Sequence, residues 1–355
     1  MATSSGTLST DPIRQEFGFR LSDSMKRHGH ICVGIDPHRK NLRDWGYSVD
    51  PQGAELFAMR MLQAAEGRAA AVKFMMPMFE RYGSKGIAAL ERALYAAHQM
   101  GLITIVDCMR GGLSTTLSSI ADAYLKSGGP LYTDAITLIP YYGFHSLNGL
   151  IEDALNRGHG VFIASLTSNP EASNLQTAIR QRGEYKGHTV AYGVAQGAQN
   201  YNKGFSGMGS VGLVIGATVG RQMDINGIDP SAFTGPILSP GYGWQGARGK
   251  DLEVVFAGTR HNVLVTAARA IAAYGPDISS LKKKIDEYKA DIQRSFDDMD
   301  ARIEKGETVD QIVQDLSDDG STAVEAPNSA AASNPTDNNT DSNTDSSNTS
   351  AHGGK

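Results

Sequence analysis

The chain has 355 residues, 40% of them hydrophobic, with 33 basic and 38 acidic side chains and a net charge of −5. This length admits one large α/β domain or two small ones. Six of the acids and one base lie from Ser317 onward, so residues 1–316 carry 32 of each sign, and a neutral body excludes the electrostatic footprint of a nucleic-acid binder or of a protein drawn to anionic membrane.

Residues 1–13 are small and polar and are expected to be flexible; they lack the basic-then-apolar order of a secretory signal. His30–Asp36 reads as a strand ending in Asp36-Pro37-His38. Pro51–Gly67 is helical, with Phe57, Met61 and Ala65 four apart. Ala70–Met76 is a strand carrying Lys73, and Lys85–Gly101 a helix closed by glycine. The strand Leu102–Cys108 ends in Asp107 and runs into a glycine turn and a row of hydroxyls. The helix Leu117–Leu125, the strand Ala135–Ile139 and the helix Leu147–Asn156 follow. Gly160–Leu166 is a strand leading into Thr167-Ser168-Asn169-Pro170. The stretch from Leu175 to Gly209 is long for one connection and reads as a helix-loop insertion at the mouth of the fold. Val211–Ala217, Pro236–Leu238 and Asn262–Thr266 complete the strands, and Leu281–Glu304 is a charged helix that packs outside. From Ser317 to Lys355 the composition is Ser, Asn, Thr, Asp and Ala without aromatics, which predicts a disordered tail.

Eight strand-then-helix units in about 270 residues favour a closed (β/α)8 TIM barrel, a single domain over 14–316. An open doubly wound sheet competes, but no Gly-x-Gly-x-x-Gly follows the first strand to support it. The two cysteines, Cys32 and Cys108, sit in apolar runs with no disulfide or zinc spacing, as expected for a cytoplasmic protein. No apolar run approaches the roughly 20 residues of a membrane helix. In a barrel the C-terminal strand ends face the active site, which brings forward Asp36, Lys73, Asp107, Ser168, Pro240 and Arg269. Lys73 and Asp107 read equally well as chemistry or as a structural ion pair. Ser239–Gly246, after strand seven, frees backbone N–H groups for an anion, with Arg269 as counter-charge; a plain glycine-rich turn is the alternative.

Six stretches together resemble orotidine 5'-phosphate decarboxylase, in its longer bacterial branch. They are Cys32-Val-Gly-Ile-Asp-Pro-His38, Val72-Lys73, Phe79-Glu-Arg-Tyr-Gly83, Asp134-Ala-Ile-Thr-Leu138, Thr167-Ser-Asn-Pro-Glu-Ala172 and Pro240-Gly-Tyr-Gly-Trp-Gln-Gly246, within a resemblance from about residue 14 to 275. The resemblance implies conversion of orotidine monophosphate to uridine monophosphate and CO2 without metal or cofactor. It implies a homodimer whose partner completes each site. It gives Lys73 and Asp107 as catalytic, Asp36 as the ribose ligand, and Ser168 as the contact to the pyrimidine edge. Gln245 and Arg269, with Pro240 in the same loop, become the phosphate end. Thr116 reaches the partner's site.

The chain departs from that family in its signature. The family has Asp-x-Lys-Arg-Gly-Asp-Ile-Gly-Ser-Thr, whereas residues 107–116 read Asp-Cys-Met-Arg-Gly-Gly-Leu-Ser-Thr-Thr. Met109 replaces the proton-donating lysine, and Gly112 replaces an aspartate contributed across the dimer. Removing both leaves Lys73 and Asp107 as a neutral pair. Phe74-Met75-Met76-Pro77 departs from the usual Pro-Gln, and Trp244 fills a slot normally small, narrowing the phosphate loop. Three readings follow. One is a decarboxylase that uses another lysine, Lys73 or Lys203 in the insertion. The second is an inactive nucleotide-binding paralogue that senses uridine monophosphate or partners an active copy. The third is a different reaction on a related phosphate, ranked last because Met109 and Gly112 also remove the metal-binding residues of such relatives.

Overall fold

The computed structural model describes residues 16–258 and 262–318. The expected flexible start and nearly all of the expected disordered tail lie outside the described residues. Eight strands run β1 (Ile31–Ile35), β2 (Ala71–Met75), β3 (Thr104–Arg110), β4 (Ala135–Leu138), β5 (Gly160–Leu166), β6 (Val211–Ile215), β7 (Ile237–Pro240) and β8 (Val263–Ala267). All neighbours are parallel and β8 pairs with β1, so the sheet closes in chain order. These are the eight strands read from the sequence, with ends displaced by at most two residues.

The helices are α1 (Phe17–His28), α2 (Arg39–Asp44), α3 (Pro51–Ala65), α4 (Pro77–Glu80), α5 (Gly83–Gln99), α6 (Ser114–Tyr124) and α7 (Asn148–Asn156). After β5 come α8 (Ser173–Gln176), α9 (Val190–Asn202), α10 (Gln222–Ile225), α11 (Gly249–Phe256), α12 (Arg269–Ala272), α13 (Ile278–Glu304) and α14 (Val309–Asp318). α14 therefore runs past the expected start of the tail at residue 317. The long connection after β5 is shorter in loop than its sequence suggested. Its second half is α9, an ordinary barrel helix capped by the Thr189 hydroxyl on Tyr192 N–H.

Strand periodicity sorts the core into two layers. Cys32, Ala71, Ile105, Ala135, Phe162, Val214, Leu238 and Leu264 fill the barrel interior. Their neighbours Val33, Val72, Val106, Ile136, Ile163, Leu213, Ile237 and Val265 pack under the helices. Both faces are buried, so the strands read as continuous apolar runs.

α1 plugs the N-terminal end of the barrel. Phe17, Leu21 and Met25 join the interior cluster, with Phe17 edge-on to Phe162 at 5.9 Å. Gly160 makes the room: a Cβ there would lie 2.1 Å from the Phe17 ring. Ser24 donates to the Ala70 carbonyl, and Gly18 N–H to Ser210 Oγ. Arg20 meets Asp134 at 2.6 Å, and Asp134 also accepts from Thr104 N–H and Oγ1. Burial opposes the Asp134 carboxylate, but the His98, Arg20 and Thr104 contacts overcome it and hold the group well below the usual range. With this end filled, the barrel opens at its C-terminal end.

Asp134→Asn should therefore cost about 3 kcal/mol at pH 7 in denaturant unfolding, because Arg20 loses its buried partner. A depressed carboxylate contributes stability above its unfolded pKa of about 4 and loses it as pH falls. The gap between wild type and variant should narrow below that pH; a constant gap would show that the charge is not what matters.

Candidate active site

Asp36, Lys73 and Asp107 share the inward parity of Cys32, Ala71 and Ile105 on their strands. Gly34, Lys73 and Ile105 are level across β1, β2 and β3. The two aspartates therefore stand one inward step above the lysine, and its long stem rises between them. Lys73 Nζ lies 2.9 Å from Asp107 Oδ2 and 3.7 Å from Asp36 Oδ1, with only 3% of the lysine side chain exposed. Burial disfavours the ammonium, but Asp107 and then Asp36 more than offset this and hold it above its ordinary range. The neutral pair read from the sequence is a triad of net charge −1. Asp36 Oδ1, the oxygen on the Lys73 side, is buried with no hydrogen-bond donor on it.

Sequence reading missed Thr137. Its hydroxyl donates to Asp107 Oδ1 at 2.8 Å and accepts from Met109 N–H at 2.9 Å. The available signal was its inward parity, two residues after Ala135 on β4. Met109 occupies the left-handed region at φ 43°. Between Val106 and Arg110 the pairing of β3 with β4 shifts register, two β4 residues spanning four on β3. This bulge turns Met109 onto the apolar interior cluster. Just beyond, Arg110 pairs with Glu80, which fixes the bulge to the turn after β2.

The other predicted residues form a second group. Ser168 Oγ, after β5, is 3.4 Å from Gln245 Oε1, after β7. Gly216, between them at the end of β6, permits this approach: a Cβ there would lie 3.1 Å from Ser168. Pro240 ends β7, and its carbonyl accepts from Ala217 N–H at 2.8 Å. Gly241 then turns with φ 112°, and its missing Cβ leaves space filled by the Gln245 amide. Arg269 opens α12 after β8, and its charge faces Asp36. Trp244 is 53% exposed, and its ring lies against Arg269, whose Cζ is 5.1 Å from the ring centroid.

Thr116 is exposed on the first turn of α6, beside Gly112 and outside the triad. Lys203 is excluded as the replacement lysine. It follows α9, whose Asn202 bonds both backbone groups of Val211 at the start of β6, so it stands at the plugged end. Its ammonium donates to Asn200. Burial pushes both cysteine thiols up to about 12, so neither is a nucleophile at neutral pH. Among the described residues no cluster of three or more His, Cys, Asp or Glu could hold a metal ion, and no helix is long and apolar enough to cross a membrane.

Residues 29–283 match the family model of orotidine 5'-phosphate decarboxylase / HUMPS. An orotidine 5'-phosphate decarboxylase of Salinispora arenicola is 40% identical over 282 residues, 79% of this chain and 99% of that protein. One from Streptomyces coelicolor is 37% identical over 279 residues, covering 79% and 98%. A Streptomyces avermitilis crystal structure assigned to the same enzyme superposes with TM-score 0.75 at 36% identity, over 82% of this chain and 99% of that one. The chain belongs to the orotidine 5'-phosphate decarboxylase family.

Lys73→Met should leave two buried carboxylates facing each other and cost about 3 kcal/mol in denaturant unfolding at pH 7. Adding Asp107→Asn should return at least about 1 kcal/mol of that loss. Additive effects would mean that the two side chains do not interact.

Proposed function

We propose that this chain is an orotidine 5'-phosphate decarboxylase, forming uridine 5'-phosphate and CO2 in de novo pyrimidine biosynthesis. The observation that carries the reading is the buried Lys73 held between Asp107 and Asp36 at the open end of a barrel of this family. Ribose hydroxyls would donate to the Asp36 carboxylate, which is partly open at the strand end. Ser168 would contact the pyrimidine edge, and Gln245 and Arg269 would hold the phosphate beside the loop that Pro240 begins.

In the reaction the bond from C6 to the carboxylate breaks, CO2 leaves, and the electron pair stays on C6. Asp107 crowds the departing carboxylate, and the Lys73 ammonium stabilises the carbanion electrostatically. Lys73 then gives its proton to C6, forming the C–H bond, and is reprotonated from solvent. Asp107 and Asp36 make Lys73 hold its proton tightly, but a vinylic carbanion is a far stronger base than an amine, so the transfer runs downhill. Met109 supplies neither charge nor proton, and the resemblance places the family's usual donor at that position. Purified protein mixed with orotidine 5'-phosphate should lose the substrate's ultraviolet absorbance. The double change Met109→Lys with Gly112→Asp should raise the rate by about 100-fold or more. A native chain no faster than a heat-killed control would sink the proposal.

The packing of Met109 on the apolar interior favours a second reading, a nucleotide-binding protein without turnover. Calorimetric binding of uridine 5'-phosphate without any loss of orotidine 5'-phosphate would select it.

We infer a homodimer joined through the mouth near β3 and β4. Leu113, Tyr141 and Tyr142 are 65%, 73% and 61% exposed there, and Thr116 lies on the same side as Leu113. Sedimentation should give a dimer, and Leu113→Glu with Tyr141→Glu should shift it to monomer. A monomeric wild type at micromolar concentration would overturn the inference.

A further inference from the structure

We propose that His38 is a proton-accepting ligand of the substrate's 5'-phosphate, so that nucleotide binding draws a proton into the barrel mouth. The inference rests on the nucleotide reading above and adds a residue to its phosphate end.

His38 stands two residues beyond Asp36, at the seam where β1 closes on β8. The strands run unusually close there: a Cβ on Gly34 would lie 2.4 Å from Ala268 Cβ. Arg269 is the next residue on the β8 side, so His38 and Arg269 rise from adjoining strand ends. The His38 backbone is fixed. Its N–H donates to the Asp36 carbonyl at 2.7 Å, forming a tight turn, and its own carbonyl accepts from Leu42 N–H at 3.0 Å. The imidazole makes no cap on α2 and is half buried. The backbone places it beside the strand ends that carry Asp36 and Arg269.

Arg81 holds this turn from the β2 side. Its guanidinium donates to the Pro37 carbonyl and lies over the Tyr82 ring at 4.8 Å. Arg81 Nε is buried with no partner. The charged groups facing the imidazole are Asp36 from β1, Arg269 from α12, Arg81 from the turn after α4, and Lys73 from β2. On its own element Arg39 and Lys40 are exposed, and Lys40 is paired with Asp44.

Three cations and one carboxylate, itself shared with Lys73, make a poor home for an imidazolium. Burial first, then Arg269, Arg81 and Lys73, hold His38 below its usual range, with Asp36 opposing. A phosphate dianion seated on Arg269 reverses that balance. The imidazole then gains a proton from solvent and donates a charge-assisted N–H to a phosphate oxygen. The sign follows: affinity for the 5'-phosphate falls as pH rises through the pKa of His38 in the complex.

The test is calorimetry at pH 7.5 in two buffers of different ionisation heat, where a phosphate monoester of second pKa about 6 is already mostly dianionic. Uridine 5'-phosphate, uridine and inorganic phosphate are titrated into wild type and His38→Gln, with equal melting temperatures establishing that the variant is folded. Wild type should take up a measurable fraction of a proton with uridine 5'-phosphate and none with uridine. His38→Gln should lose that uptake and bind the nucleotide about tenfold more weakly. Equal proton uptake in the two proteins overturns the proposal. If uridine 5'-phosphate gives no heat while inorganic phosphate still draws a proton into wild type alone, the nucleotide reading fails and the His38 contact stands. No heat from either phosphate overturns both.

Discussion

An ammonium can be buried inside a barrel only if carboxylates come with it, and that requirement organises the open end of this molecule. Lys73 rises from the middle of β2 and needs acceptors one inward step higher on both neighbouring strands; Asp36 and Asp107 supply them. Their positions depend on a shared register across β1, β2 and β3, and a slip of one residue would send each side chain to the opposite face. Thr137 continues the constraint onto β4 by holding the far oxygen of Asp107. Four consecutive strands are thereby committed to one arrangement of charge. The filled opposite end, with Phe17 seated over Gly160, lets that arrangement face a single entrance.

Much of this was legible in the sequence, because buried parallel strands announce themselves as unbroken apolar runs and the charged residues that end them stand out. Asp36, Lys73 and Asp107 were found that way. Ser168 and Arg269 also follow from the strand ends, whereas Gln245 came through the resemblance, whose motifs mark two loops that meet only in space. The omissions have physical causes. α1 has five buried residues among twelve, and its role as a plug depends on Gly160, more than 100 residues away. α9, Val190–Asn202, is rich in glycine and small residues and carries a weak helical signal, so it was read as part of a helix-loop insertion at the mouth. That error put Lys203 near the mouth, when the helix carries it to the far end. Thr137 is a single hydroxyl within an apolar strand, and only the fold gives it two partners.

Met109 shows how a substitution and a backbone feature act together. The register shift in β3 and the left-handed conformation at residue 109 are a bulge of the kind that re-aims a side chain beside an active site. Glu80 with Arg110 and Thr137 with the Met109 N–H hold it in place. The backbone that would present a polar group remains, with a thioether on it. The triad keeps its excess negative charge, and Lys73 is the cation inside it.

The chain has two tryptophans, and the fold gives them different surroundings. Trp45 is 5% exposed, with its ring tilted against Phe57 at 4.4 Å and its indole N–H on the Ala272 carbonyl. Trp244 is half exposed, with the Arg269 guanidinium against its ring. An anion that engages Arg269 alters the field and the solvent around the Trp244 indole directly. The molecule thus carries two intrinsic fluorophores in different surroundings: Trp45 is packed in the barrel wall, and Trp244 stands half exposed against the guanidinium at the mouth.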